Sequence, residues 1–259
     1  KDKLISITSN LLENLDGKMI TGCDLNTTEK DMHKLFKLTP HVLAAVNSEV
    51  DASTATAKGV VGAFESFYKC FPSDMSNGVL VHGCGAVGKI VASELVRKGF
   101  KTYVVDKDVS KTNIEGTISL GDDANWYKNK FDVLFPCSIS GLINTYNASF
   151  LLDKKAIIPA ANAPFINEII PKKLKEANLT IIPDPLVNAG AVIGDSIERY
   201  APHEWSKATS EKVYEFVKDS VRNKCFAFLS LIQSGLTTEE TLELIQNEQD
   251  TIIGKTFLA

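Results

Sequence analysis

The run Gly78-Val-Leu-Val-His-Gly-Cys-Gly-Ala-Val-Gly88 decides the fold of this chain. Its apolar residues lead directly into Gly83, Gly85 and Gly88, which have the G-x-G-x-x-G spacing, and helix-forming residues follow. A second apolar run ends on Asp106, 18 residues after the last glycine. A strand, a glycine turn, a helix, a second strand and a terminal acid together form a dinucleotide-binding fingerprint. The alternative is a glycine-rich turn in an unrelated α/β protein.

Each part of this motif has a physical purpose. Gly83 permits the tight turn, Gly85 lets backbone approach a pyrophosphate, and Gly88 lets the helix pack closely on the strand. The helix N-terminus offers unpaired N–H groups and a partial positive charge to the phosphates. Asp106 would accept hydrogen bonds from the adenosine ribose hydroxyls, which favours NAD over its phosphorylated form.

The composition excludes several classes of function. A net charge of −4 and a pI near 5.7 argue against a nucleic-acid or anionic-membrane partner. No apolar run has the length of a membrane-spanning helix. The five cysteines are scattered and lack C-x-x-C spacing, which indicates a reduced, cytoplasmic setting. The four histidines form no metal-ligand pattern, so we interpret them as isolated surface or core residues and expect no metal.

From Gly78 onward, short apolar runs alternate with stretches of helical length. Two of these stretches, 87–98 and 166–177, are predicted to be helices. The predicted strands are Val79–His82, Thr102–Val105, Val133–Phe135, Ala156–Pro159 and Thr180–Pro183. Strands that alternate with helices build a doubly wound parallel sheet, so we expect a Rossmann-like α/β fold.

The two ends of the chain are predicted to be mostly helical. Residues 1–16 form a helix whose apolar face consists of Leu4, Ile7, Leu11, Leu12 and Leu15. Thr28 and Asp31 begin a helix over 29–36. The other predicted elements are a short strand at 18–22, a helix over 57–71 and helices over 206–253 with a break at Gly235. We therefore assign 57–205 to a dinucleotide-binding domain, with 1–56 and 206–259 packing together beside a cleft.

Small and polar residues recur where the predicted strands end. The segments are Thr21–Thr28, Ser53–Val60, Pro136–Asn144, Pro159–Pro164 and Pro183–Val192. Ligands of such sheets bind outside the carboxyl ends of the strands, and asparagine amides can both donate and accept there. The alternative is that these residues only form turns.

The order of these motifs resembles the glutamate/leucine/phenylalanine/valine dehydrogenase family. Met19-Ile-Thr-Gly-Cys-Asp-Leu-Asn-Thr-Thr28 is similar to the family's Tyr-Ile-Thr-Ala-x-Asp-x-Gly-Thr-Thr, and Thr56-Ala-Lys-Gly-Val60 matches Thr-Ala-x-Gly-Val. Pro136–Asn144 is similar to Pro-Cys-Ala-x-x-x-x-Ile-Asn, and Ala160–Pro164 to Gly-Ala-Asn-x-Pro. Pro183–Val192 is similar to Pro-Asp-x-x-x-Asn-Ala-Gly-Gly-Val. The resemblance runs in order through nearly the whole chain.

The resemblance implies an NAD-dependent enzyme that removes a hydride from Cα of an L-amino acid, giving NADH and an imine. Water activated by a lysine would then release ammonia and the 2-oxo acid. It also implies a homo-oligomer joined through a substrate domain, of which 1–56 and 206–259 would be a small, incomplete, mostly helical remnant. The alternative is a non-catalytic NAD-binding relative of these enzymes.

The resemblance also implies roles for individual residues. Asp24 would be the catalytic aspartate that shuttles protons, and Asn188 would hold the substrate amino group beside it. Thr56, Ser138 and Asn162 would position the nicotinamide end of the cofactor. The full set assigned to the cofactor is Thr56, Gly83, Gly85, Ala86, Val87, Gly88, Asp106, Cys137, Ser138, Asn162 and Asn188.

The family's two active-site lysines precede the aspartate motif, and one of them lies in a Gly-Gly-Gly-Lys segment. These 259 residues contain no such segment. Lys18, Lys34 and Lys58 fit neither position by motif, so we interpret them as solvated surface lysines. Two explanations remain open: the sequence is a fragment that lacks an N-terminal half, or it is a naturally shortened relative that binds nucleotide without this chemistry.

Two residues after the Asn-Ala-Gly motif bear on the substrate. In the family such positions line the pocket for the substrate side chain, and here they are Val192 and Asp195. A buried unpaired carboxylate is costly, so Asp195 should reach solvent or meet a cation. The hypothesis is a polar or basic substrate side chain, or none at all. The alternative is that Asp195 only caps a helix.

Overall fold

The computed structural model describes residues 1–23, 27–43, 49–72, 74–247 and 257. The α-helices are α1 (Asp2–Asn14), α2 (Glu29–Phe36), α3 (Ala52–Cys70), α4 (Ala86–Arg97), α5 (Ile169–Glu176), α6 (Asp184–Val187), α7 (Gly190–Tyr200), α8 (Pro202–Trp205), α9 (Ser210–Gln233) and α10 (Thr238–Asn247). The strands are β1 (Val79–His82), β2 (Thr102–Val105), β3 (Ile118–Ser119), β4 (Val133–Pro136), β5 (Ala156–Ile157) and β6 (Thr180–Ile181). Short 3-10 helices cover Val109–Thr112, Trp126–Lys128 and Ala148–Leu151.

The strands form one parallel sheet in the order β3-β2-β1-β4-β5-β6. Val79 of β1 lies opposite Thr102 of β2 on one side and Val133 of β4 on the other. The strand order therefore reverses between β1 and β4. This is the arrangement of a doubly wound Rossmann-like sheet, and the predicted fold class is confirmed.

The central strands are buried on both faces. Leu80, Val81, Leu134 and Phe135 have no exposed side-chain surface. Strands covered on both sides read as continuous apolar runs, which is why β1 and β4 could be located in the sequence. The ring of Phe64 in α3 lies 5.5 Å from that of Phe135, so α3 covers one face of the sheet.

The chain divides into two compact units. One contains the described residues of Lys1–Asp51 and Val192–Val213 together with Phe257, and the other contains those of Ala52–Ala191 and Tyr214–Gln249. These bounds differ from those of the dinucleotide-binding domain that the sequence predicts over 57–205. In the unit that holds the sheet, α3 begins five residues before the predicted start. The same unit includes most of α9, because α3 and α9 cross so closely that a Cβ on Gly62 would overlap the carbonyl oxygen of Lys218.

Lys58 is not the solvated surface lysine that the sequence suggested. Its side chain in α3 is 21% exposed, and its Nζ lies 2.8 Å from the Glu94 carboxylate in α4. Arg97 pairs with the same carboxylate. Burial alone would raise the pKa of Glu94, but the hydrogen bonds from these two cations hold it below its ordinary value. Lys58 therefore links α3 to α4.

In the other unit, α2 begins as predicted. The Thr28 side chain accepts the N–H of Asp31 and the Asp31 carboxylate accepts the N–H of Thr28, which is a capping box. The predicted apolar face of α1 is largely exposed: only Leu12 belongs to the core cluster with Met32 and Leu35. The exposed members of that face are Leu4, Ile7, Leu11 and Leu15.

The strand predicted at 18–22 is wrong. Among the described residues of this segment, Thr21 alone forms a bridge, to Val42. A run this short needs a neighbouring strand to complete its backbone hydrogen bonds, and a single bridge does not supply one.

Candidate functional site

The glycine turn connects β1 to α4, and each of its glycines is used differently. Gly83 has φ +95°, and a Cβ there would lie 2.6 Å from Cβ of Ser138. A Cβ on Gly88 would overlap the carbonyl oxygen of Gly83, so this glycine permits close packing of helix on turn. Around Gly85, no described atom lies within 4 Å of an added Cβ. The open backbone at Gly85 is a place where a ligand can approach.

The first turn of α4 faces the same space. Gly85 is the N-cap residue, and no described side chain caps the helix there. Ala86 is exposed and Val87 is half-buried. N–H groups at the start of a helix need acceptors, and the helix dipole favours an anion. The residues present therefore fit a pyrophosphate group.

Asp106 directly follows β2 and faces the glycine turn. Its Oδ2 accepts the backbone N–H of Cys84 at 2.7 Å, and its Oδ1 accepts the N–H of Asp108 at 2.9 Å. An ionised carboxylate has about four lone-pair positions, so each oxygen keeps capacity for a further donor such as a ribose hydroxyl. Burial raises the pKa of the adjacent Cys84 thiol to about 11, so this cysteine is a packing group rather than a nucleophile.

His82 lies inside the site and is not the isolated histidine that the sequence predicts. It ends β1, and its Nδ1 lies 2.8 Å from the Ser138 hydroxyl that follows β4. Its ring makes an edge contact with Trp126, with ring centroids 5.0 Å apart. Burial lowers the pKa of His82 to about 4, so the imidazole is neutral near pH 7. The available sequence signal was its position immediately before the first glycine of the turn.

Asn162 and Asn188 are brought together after β5 and β6. Nδ2 of Asn188 donates to Oδ1 of Asn162 at 2.7 Å and to the carbonyl oxygen of Ala160 at 3.2 Å. Both amide hydrogens of Asn188 are thus engaged, which leaves its Oδ1 as the acceptor for a ligand. Because Asn162 takes part in this bond through its Oδ1, its Nδ2 remains available as a donor to a ligand. The pair therefore presents one donor and one acceptor.

Thr56 and Cys137 lie in the same unit, and both are closely packed. The Thr56 hydroxyl donates to the carbonyl oxygen of Ala52 within α3. Gly190 lies so close to the backbone of α3 that a Cβ added to Gly190 would be 2.6 Å from the Cα of Thr56. Cys137 lies behind Gly88, with its Cβ 3.1 Å from the position of an added Cβ, and burial raises the pKa of its thiol.

The residues predicted to contact substrate are only partly described. Asp24 lies outside the described residues. Val192 is 68% exposed. Asp195 lies in the middle of α7, so it does not cap a helix, and its Oδ2 is 3.8 Å from the Cβ position of Gly22. Burial raises the pKa of Asp195.

In the described part of the chain, no group of three or more His, Cys, Asp or Glu side chains could hold a metal ion. No described helix is long and apolar enough to cross a membrane.

The sheet order, the glycine turn and the carboxylate after β2 define an α/β protein of the Rossmann-like class. Residues 103–246 match the family model for glutamate/leucine/phenylalanine/valine dehydrogenase. The chain belongs to this family, which confirms the resemblance seen in its motifs.

Individual relatives agree with this assignment. The chain is 26% identical to phenylalanine dehydrogenase of Bacillus thermotolerans over 259 residues, which cover 94% of this chain and 66% of the relative. It is 30% identical to leucine dehydrogenase of Geobacillus stearothermophilus over 228 residues, covering 83% of this chain and 60% of the relative. The crystal structure of L-tryptophan dehydrogenase from Nostoc punctiforme is similar in fold, with a TM-score of 0.76, 23% identity, and coverage of 100% of this chain and 74% of that chain. The chain thus spans less than two thirds of the length of the two curated enzymes.

Proposed function

We propose that this protein is an NAD-dependent dehydrogenase that reversibly converts an L-amino acid to a 2-oxo acid and ammonia. The observation that carries the proposal is the pairing of open backbone at Gly85 with the Asp106 carboxylate, both at the carboxyl edge of the sheet. Family membership supports the reaction class, since the relatives are named as amino acid dehydrogenases.

The residues of this chain would hold the cofactor along that edge. The backbone of Gly85 and the first turn of α4, with Ala86 and Val87, would bind the pyrophosphate. Asp106 would bind the adenosine ribose, and its negative charge would disfavour the 2′-phosphate of NADP. NAD, when bound, supplies the acceptor for a hydride from the substrate Cα.

The nicotinamide end would lie against the residues that follow the strands. The free Nδ2 of Asn162 suits the carboxamide oxygen, and Ser138 would contact the same carboxamide. Thr56, held within α3, and Cys137, behind Gly88, would shape this end of the site by packing.

On the substrate side, Asn188 presents Oδ1, which suits the amino group of an amino acid. By the family resemblance, Asp24 would move protons at that amino group. Val192 and Asp195 would contact the substrate side chain, and a half-buried carboxylate favours a substrate with a polar or basic side chain. In an Asp195→Val variant, kinetics on lysine-like and leucine-like substrates should shift toward the apolar one; an unchanged preference would remove Asp195 from the pocket.

Two measurements on the same preparation test the proposal. The first is the NADH fluorescence change on titration of the protein, and the second is NADH formation from NAD with a panel of L-amino acids. Binding together with turnover is expected. Binding without turnover of any amino acid would replace the proposal with a non-catalytic NAD-binding protein. Failure to bind NADH would contradict both.

A further inference from the structure

His82 and Ser138 meet at the position where the strand order reverses. His82 is the last residue of β1, and Ser138 comes two residues after the end of β4, the strand on the other side of the reversal. In doubly wound sheets the ligand crevice opens at this point. The 2.8 Å contact between Nδ1 of His82 and Oγ of Ser138 therefore spans the base of the crevice.

The surroundings hold both partners in place. Trp126, which is 4% exposed, makes an edge contact with the His82 ring from the side of the core. Ser138 is exposed, and its backbone and Cβ lie so close to Gly83 that only glycine fits there. The N–H of Cys137 donates to the carbonyl oxygen of His82 at 2.7 Å, which fixes the two strand ends relative to each other. Trp126, His82 and Ser138 thus follow one another from the core to the crevice: the first is buried, the second partly buried and the third exposed.

We propose that His82 is a positioning residue that orients the Ser138 hydroxyl toward the nicotinamide carboxamide. The Ser138 hydroxyl donates a hydrogen bond to Nδ1 of the neutral imidazole, and the lone pairs of its oxygen are then free to accept the carboxamide N–H₂. This inference rests on the proposed function, since it requires NAD in the crevice. In this arrangement His82 determines the direction in which the Ser138 O–H points, although His82 does not itself touch the cofactor.

The test compares two ligands on the protein and its variants. NADH contains the nicotinamide, whereas ADP-ribose carries the same adenosine and pyrophosphate without it. In His82→Phe, which keeps a ring against Trp126 but removes Nδ1, the Kd for NADH should rise about three- to tenfold, the effect of one hydrogen bond. The Kd for ADP-ribose should stay the same. His82→Asn, which places an amide acceptor near the Nδ1 position, should recover most of the loss.

A double-mutant cycle distinguishes positioning from a structural effect. Ser138→Ala should weaken NADH binding by a similar factor, and adding His82→Phe to it should cause no further loss. Equal weakening of both ligands in His82→Phe, or an undiminished effect of that change in the Ser138→Ala background, would overturn the proposal. Equal affinity of the unmodified protein for NADH and ADP-ribose would also overturn it while leaving cofactor binding intact. Binding of neither ligand would contradict the proposed function itself.

Discussion

The Asp106 carboxylate accepts the backbone N–H of Cys84 at 2.7 Å, so the acid at the end of β2 is bonded to the glycine turn after β1. One side chain thereby orders the turn and keeps lone pairs for a ligand. The two functions are separable by experiment. A disordered turn would weaken the binding of every nucleotide, whereas loss of the carboxylate charge would change the preference for NADH over NADPH.

We therefore expect Asp106→Ser to reduce the preference for NADH over NADPH. Hydrogen bonds to a charged group contribute about 1.5–3 kcal/mol, so the Kd for NADH should rise roughly tenfold or more, while NADPH is no longer repelled by the carboxylate. The measurement is the ratio of the two Kd values. Asp108→Ser is the matched control, since the Asp108 side chain bonds to Ser110 within its own 3-10 turn. An unchanged ratio in Asp106→Ser would exclude Asp106 from the ribose site.

A pair of alanine substitutions in the glycine turn should separate ligand binding from stability. Gly85→Ala adds a Cβ to open space at φ −70°, so the free energy of unfolding should change by less than about 1 kcal/mol. NADH binding should weaken about tenfold or more, because the Cβ fills the space that the pyrophosphate needs. Urea unfolding and NADH titration measure the two effects.

Gly88→Ala, by contrast, should strongly lower the free energy of unfolding. Its Cβ would overlap the Gly83 carbonyl oxygen, which is backbone and cannot turn aside. The expected loss of unfolding free energy is about 3 kcal/mol, the upper range for overpacking. If Gly88→Ala were as stable as Gly85→Ala, the close packing of α4 on the turn would be incorrect.

Most of the sheet could be predicted from the sequence, and the exceptions have a common cause. The bounds predicted for β1 and β2 are those observed, because both are buried apolar runs bounded by glycine or charge. The strand β3 is not predicted by the sequence, because its two residues, Ile118 and Ser119, are both exposed and show no burial pattern. Edge pairing of this kind depends on the neighbouring strand rather than on local sequence.

The candidate site divides in the same way. Asp106 and the glycines belong to one contiguous motif whose geometry follows from strand, turn and helix. The contact of His82 with Ser138 joins residues 56 positions apart, and it follows from the register that sets His82 opposite Pro136. The pairing of Asn162 with Asn188 likewise requires β5 and β6 to be neighbours. Such contacts follow from topology, which the motifs alone did not specify.

The amide pair supports a prediction about turnover. In Asn188→Asp, a carboxylate oxygen replaces the Nδ2 that donates to Asn162 and Ala160. The Oδ1 of Asn162 and the carbonyl oxygen of Ala160 would then face another acceptor instead of a donor. We expect kcat/KM for the amino acid to fall about a hundredfold, since the variant places a partly buried negative charge against two acceptors and loses two hydrogen bonds. The Kd for ADP-ribose should change much less than kcat/KM, because its adenosine and pyrophosphate would be held at Asp106 and the glycine turn. A normal kcat/KM in this variant would remove Asn188 from the substrate site.

His82 predicts a loss of stability in acid that can be assigned to one residue. Its pKa is about 4 in the folded protein, against 6.5 for an ordinary histidine, so between these values the unfolded chain binds a proton that the folded chain does not. Stability therefore falls as the pH is lowered from about 6.5 to 4, by on the order of 3 kcal/mol in full. Urea unfolding at pH 7 and pH 5 should show a smaller difference for His82→Asn than for the unmodified protein, because asparagine does not titrate. Carboxylates also titrate toward the lower end of this range, and the comparison with His82→Asn cancels their contribution. Identical pH dependence in the two proteins would mean that His82 is solvated and charged like an ordinary histidine.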